Sequence, residues 1–197
     1  MRAPIGRRGA LGLLVGLVLS PLWSRRARAE DPEIPVATQV KLLAKVVQYD
    51  RNAELRMGGT ARVLILRRSG DASSARVAAM VRTDLAGLGE IAGAVFDVRE
   101  ADFVDATAVR SLCTAEKIAL LVMTPGLSQH VAAIADALDG SDLISVAMLA
   151  RDVPTGAVLG FALESSRPTI VINLGRAKRQ NVDFSSRLLA LAKVVGE

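Results

Sequence analysis

The chain has 197 residues and is 51% hydrophobic but only 3% aromatic, enough to build a core and too little to supply many stacking platforms for sugars or single-stranded nucleic acid. Its formal charge of +5 is unevenly spread: the first 29 residues hold Arg2, Arg7, Arg8, Arg25, Arg26 and Arg28 and no acidic side chain, so removing those six arginines takes the balance to −1. A basic footprint for nucleic acid or an anionic membrane is thereby excluded from the rest of the chain.

Residues 1–29 read as a removable export signal. Arg2, Arg7 and Arg8 form a basic start, Ala10 to Leu19 is an apolar run, and Ala27-Arg28-Ala29 is an A-x-A cleavage site before Glu30. The apolar run is too short, and too broken by Gly12, Gly16 and Pro21, to span a membrane. Cleavage after Ala29 predicts a periplasmic protein. Arg7-Arg8 fits twin-arginine export less well than general secretion, because Gly6, Ala10 and Gly12 stand where Ser or Thr, Phe and Lys are common. Cys113 is the only cysteine. It allows neither an intrachain disulfide nor a lipid anchor at the cleavage site, and it reads as a small buried apolar residue, with an intermolecular disulfide or reactive thiol as the alternatives.

Residues 30–197 fit a single domain, which at this size buries about 70% of its unfolded surface. After the acidic, proline-bearing lead-in Glu30 to Pro35, the residues Val36, Val40, Leu43, Ala44 and Val47 recur at helical spacing, predicting a first helix that ends near Asp50-Arg51-Asn52. Short apolar runs then alternate with helical stretches: Val63 to Leu66 with Ser74 to Leu85, Ala94 to Val98 with Ala106 to Cys113, Ile118 to Met123 with Ser128 to Leu138, and finally Leu143 to Met148. That rhythm predicts parallel strands joined by helices, with Ile118 to Met123 apolar on both faces like a covered central strand. Ala157 to Leu163 and Thr169 to Leu174 are separated only by Glu164 to Pro168, too short for a crossover, and predict an antiparallel hairpin. Phe184, Leu188, Leu191 and Val195 predict a closing helix with Asp183 as its cap. The expectation is a three-layer α/β domain: a mostly parallel sheet, helices on both faces, a C-terminal antiparallel hairpin and a final helix.

Little in this chain assembles chemistry. His130 is the only histidine, no G-x-S-x-G turn presents a serine, and one histidine with one cysteine cannot make a zinc site of usual composition. Neither a Walker A nor a dinucleotide fingerprint is present, so no cofactor, no metal and no catalytic residue is expected. Glu100, Asp102 and Asp105 sit at a strand-to-helix junction, where capping is the better reading than acid–base work. The best ligand candidate is the turn after the first strand. Arg67 or Arg68 could attract an anion, Ser73 and Ser74 would offer hydroxyls and amides at a helix start, and Ser128 lies in a second turn on the same edge, although these serines could equally serve only as helix caps.

Ile170-Val171-Ile172-Asn173-Leu174, then Ala177-Lys178, then Asp183-Phe184-Ser185-Ser186-Arg187-Leu188-Leu189 to Ala192, resembles the C-terminal signature of the YfiR-like family of periplasmic proteins. The opening helix Val40-Lys41-Leu42-Leu43 to Val47 is similar to that family's start. Asn173, Phe184, Ser185, Ser186, Leu188 and Leu189 are the signature positions, and they are structural in character: Asn173 could close a strand end, and Ser185 and Ser186 could satisfy free amides at a helix start. The resemblance implies a non-enzymatic regulator that docks on an envelope or inner-membrane signalling partner, with restraint of a diguanylate cyclase as its best-known form. The chain departs from that form in lacking paired cysteines, so an intrachain redox bridge is excluded. The alternative is a periplasmic small-ligand or anion-binding protein using the strand-end turns. A homodimer is compatible with either role, and no residue pattern specifies its interface.

Overall fold

The computed structural model describes residues 32–196; the leader and the Ala29 cleavage site lie outside the described residues. In chain order the elements are α1 (Val36–Val47), α2 (Ala53–Met57), β1 (Thr60–Arg67), α3 (Ala72–Leu88), β2 (Glu90–Ile91), β3 (Ala94–Asp102), α4 (Ala106–Ala115), β4 (Leu120–Met123), α5 (Val131–Ala137), β5 (Ile144–Ala147), a 3₁₀ turn (Ala150–Asp152), β6 (Leu159–Glu164), β7 (Arg167–Asn173), α6 (Leu174–Arg179), α7 (Ser186–Leu189) and β8 (Lys193–Val195). The strands form one sheet in the order β2-β3-β1-β4-β5-β6-β7-β8. Strands β3, β1, β4, β5 and β6 run parallel; β2 is antiparallel to β3 and β7 to β6, and β8 is parallel to β7.

Side-chain alternation decides which face each helix covers. In β1, Ala61, Val63 and Ile65 point into a core built with α1, α2 and α3 (Val40, Leu43, Val77, Val81, Leu85), whereas Leu64 and Leu66 point into a second core with α4 and α5 (Val109, Cys113, Val131, Ile134). Strand β4 is buried at every residue, as a doubly covered strand must be. The three-layer α/β architecture with its C-terminal antiparallel hairpin is therefore present.

The hairpin loop is shorter than its sequence suggests. Glu164 pairs with Arg167, leaving Ser165 and Ser166 alone at φ +47° and +62°. Two consecutive positive φ values make the loop whose twist suits a two-residue hairpin. Ala92 and Gly93 (φ +48° and +78°) do the same between β2 and β3, forming a hairpin that periodicity could not announce in a two-residue strand.

The predicted closing helix is corrected to a single turn. Phe184 and Leu188 reach the core, but Leu191 is 69% exposed and Val195 belongs to β8. The open edge of β7 takes Lys193–Val195 as a parallel partner, and the β-branched Val194 and Val195 suit that pairing better than a helix interior. Asp183 is not the cap; Ser185 occupies that position without a side-chain cap bond, and Asp183 instead pairs with Arg51 at 3.2 Å.

The returning C-terminal segment is fastened by a buried ion pair. Arg56 in α2 lies 3.1 Å from Asp50, with both side chains out of solvent, and Arg56 Nη2 also donates to the Asn181 carbonyl at 3.0 Å. The other Asp50 oxygen accepts from the amides of Asn52 and Asp183 at 3.2 and 3.0 Å. Removing one partner of such a pair strands the other charge in the interior. Arg56→Ala is expected to cost about 3–5 kcal/mol in urea unfolding, and Arg56→Lys to recover only part of it because the fork of donors is lost; a loss for the alanine variant below about 1 kcal/mol would show that the pair is not structural.

Candidate functional site

In this topology the natural ligand position is the crevice where β1 and β4 lie side by side while their following helices leave to opposite faces, α3 to one and α5 to the other. All five candidate residues read from the sequence belong to these turns. The structure brings Arg68 and Ser74 together there and sends Arg67 and Ser128 elsewhere.

Asp71, not a serine, caps α3, accepting from the Ser74 amide at 2.9 Å. The Ser74 hydroxyl is wholly buried and accepts from the Arg68 amide at 2.8 Å. It lies 2.7 Å from the Thr124 hydroxyl, whose proton goes to the Leu66 carbonyl at 2.9 Å, so Ser74 is the donor in the pair. The Ser74 proton and one of its lone pairs are thus used in tying α3 to the ends of β1 and β4. Arg68 Nη1 reaches across to the Gly126 carbonyl at 2.9 Å. Gly126 has φ +88°, and a β-carbon there would sit 2.7 Å from an Asp71 oxygen. The two turns close on one another across the crevice.

Arg67 pairs with Asp102 at 3.0 Å and Glu100 at 3.5 Å on the neighbouring β3, and Glu100 also takes Arg82 at 3.2 Å. Of the three junction acids only Asp105 is a cap, accepting from the Ala108 amide at 2.8 Å; Glu100 and Asp102 are ion-pair partners. Ser73 is buried and accepts from Arg76 at 3.4 Å. Ser128 donates to Asp152 at 3.0 Å. Asp152 is 6% exposed, and its pKa is raised by desolvation, with the Ser128 bond and Arg151 acting in the opposite direction. Sequence reading missed Thr124, Asp71 and Asp152. Asp71 carries the D-x-x-S spacing of a cap, Thr124 follows a strand by one residue, and nothing local marks Asp152.

His130 stands at the start of α5 and packs against the Phe103 ring with centroids 4.5 Å apart. Burial pushes the Cys113 thiol up to about 12, leaving it protonated and unreactive at neutral pH. Among the described residues no cluster of His, Cys, Asp or Glu could hold a metal ion, and no helix is long and apolar enough to cross a membrane.

The signature positions act in the frame of the fold. Asn173 ends β7 and caps α6, accepting from the Arg176 amide at 2.9 Å and donating to the Val153 carbonyl at 3.0 Å. Phe184 and Leu188 are core residues and Leu189 packs against them. Ser185 differs from the expectation: its carbonyl receives the Leu188 amide at 3.0 Å, while its buried hydroxyl finds no partner among the described residues. Ser186 contributes its carbonyl to the Ala190 amide at 3.0 Å.

A family model described as YfiR/HmsC-like matches residues 87–193. The chain belongs to the YfiR/HmsC-like family. This family is regulatory rather than catalytic and periplasmic in general character. The match runs from the end of α3 to the first residue of β8, so it includes all six signature positions and leaves α1, α2, β1 and most of α3 ahead of it. No curated protein sequence matches the chain significantly.

Two solved structures share the fold. One is the ABC domain in complex with L-Trp from Streptococcus pneumonia, with 12% identity and a TM-score of 0.57. The other is a conserved domain protein from Vibrio cholerae O1 biovar El Tor strain N16961, with 14% identity and a TM-score of 0.54. Each match covers 82% of this chain but only 62% and 60% of those chains, respectively, and at such identity the likeness is one of fold alone.

The raised pKa of Asp152 has a signed consequence. Between the ordinary carboxylate value of 3.8 and the raised value, the folded protein holds a proton that the unfolded chain has released, so stability falls as pH rises through that window. Asp152→Asn keeps an acceptor for Ser128 and removes the charge. Its stability relative to the native protein, read from urea midpoints, is expected to be greater at about pH 7 and to shrink as the pH approaches the ordinary carboxylate value; a difference independent of pH would refute the assignment.

Proposed function

We propose that the chain is exported, cleaved after Ala29, and acts in the periplasm as a non-enzymatic regulator that docks on an envelope or inner-membrane signalling protein. A membrane-bound diguanylate cyclase is the partner class that the family resemblance brings with it. The observation carrying this reading is the YfiR/HmsC-like match over residues 87–193. The closed crevice supports it as well. Ser74, Thr124, Arg68 and Gly126 hold one another where a strand-end ligand would have to sit, which leaves the anion-binding alternative few free groups at that edge. A folded scaffold whose polar turns are satisfied internally is suited to presenting a surface.

The test pairs crosslinking of the tagged protein in cells with measurement of cyclic di-GMP in strains that have and lack it. Recovery of an inner-membrane cyclase, together with a rise in cyclic di-GMP when the chain is absent, is the expected result. Recovery of a different envelope protein with cyclic di-GMP unchanged would keep the docking role and remove the cyclase. Recovery of nothing beyond a leaderless control would overturn docking.

A further inference from the structure

At the opposite edge of the sheet from the closed crevice, the segments leading into β4 and β5 border a cleft of about 470 Å³. That volume lies within the roughly 300–1,000 Å³ typical of small-molecule sites. Leu55 is its exposed apolar side chain, Cys113, Ile118 and Leu143 lie almost wholly buried beneath it, and Arg110 and Lys117 add positive charge. Arg56 and Asp142 also border it; Arg56 is shared between Asp142 and the buried Asp50, so this trio is net negative, and Arg110 and Lys117 bring the balance to positive.

Neither remaining cation is neutralised by a carboxylate. Arg110 Nη1 donates to the backbone carbonyls of Ala137 and Asp139, at the end of α5. Lys117 enters no ion pair among the described residues. Its backbone is the second observation. Helix α4 ends with the Ile118 amide bonded to the Cys113 carbonyl at 2.9 Å and the Lys117 amide to the Thr114 carbonyl at 3.3 Å, placing Lys117 at φ +50°. Glycine is the default at this position of such a helix end, because a β-carbon is penalised there. A lysine could favour the helix dipole from any place in the last turn without that backbone strain. Lys117 borders the cleft from this strained position.

We propose that this cleft binds a small organic anion with an apolar body, its carboxylate or sulfonate held by Arg110 and Lys117 and its hydrocarbon or aromatic part against Leu55. Arg110 and Lys117 supply the attraction for the anionic group, and the exposed Leu55 favours a ligand with an apolar part over an inorganic anion. The site is independent of the docking role, since binding needs no partner protein.

The exported, purified protein is titrated with 8-anilinonaphthalene-1-sulfonate by fluorescence, and the probe is then displaced with phenylacetate, inorganic phosphate or benzyl alcohol. Lys117→Gly is the decisive variant, because glycine suits φ +50° and the protein is expected to melt no lower than wild type while probe affinity falls about tenfold. Arg110→Gln is expected to weaken binding similarly, and phenylacetate to displace the probe better than phosphate or benzyl alcohol. Absence of binding to the wild type, unchanged affinity in Lys117→Gly, or equal displacement by phosphate or by benzyl alcohol would each overturn the proposal.

Discussion

The buried pairing of Asp50 with Arg56 is the constraint from which the outer parts of this fold take their positions. Two charges taken out of water are tolerated only when every lone pair and donor finds a partner, and here the partners come from distant parts of the chain. Asp50 receives the Asp183 amide, and Arg56 reaches the Asn181 carbonyl. The short helix α2 is thereby locked to the segment between α6 and α7. Backbone bonds from Arg51 to Asp183 and from Ser185 to Tyr49, both 2.9 Å, extend the same seam. That seam delivers Phe184 and Leu188 to the core shared by α1 and α3.

A second constraint lies across the sheet. The hydroxyls of Ser74 and Thr124 join α3, β1 and β4 at the point where an open parallel sheet ordinarily receives a ligand. Both are buried, so leaving either unpaired would cost more than the bond gains, and their mutual satisfaction favours a closed edge. The fold shared at low identity with a domain solved in complex with L-Trp does not by itself bring a site with it. What the YfiR/HmsC-like chain keeps is a rigid frame, capped by Asn173 at the end of β7 and stitched by Ser145 and Gln180 between β5 and α6. The cleft bordered by Arg110 and Lys117 lies at the other edge.

The elements legible in the sequence were those whose register repeats over several turns or pleats. Helix α1, the alternation of β1 and the doubly apolar β4 each present a periodic apolar pattern that has one burial solution. Helix α2 and strands β2 and β8 have five, two and three residues, too few for a period to emerge, and they exist because a partner holds them. The same distinction separates the site residues. Asp105 and Asp71 cap their own helices through bonds spanning three residues, whereas Arg67 is claimed by acids on a neighbouring strand and Ser128 by Asp152 from a separate turn.

The sequence by itself determined the α/β class, the parallel succession, the hairpin, the solitary cysteine and the family, because each rests on periodicity, spacing or local pattern along one stretch of chain. Tertiary structure decided whether the strand-end turns were open or closed, which of Asp50, Arg56, Arg67 and Asp152 became buried or paired, and whether the last residues stayed helical or joined the sheet. Those outcomes depend on which backbone groups and charges meet across dozens of residues, and desolvation makes an unpaired group costly wherever the meeting occurs.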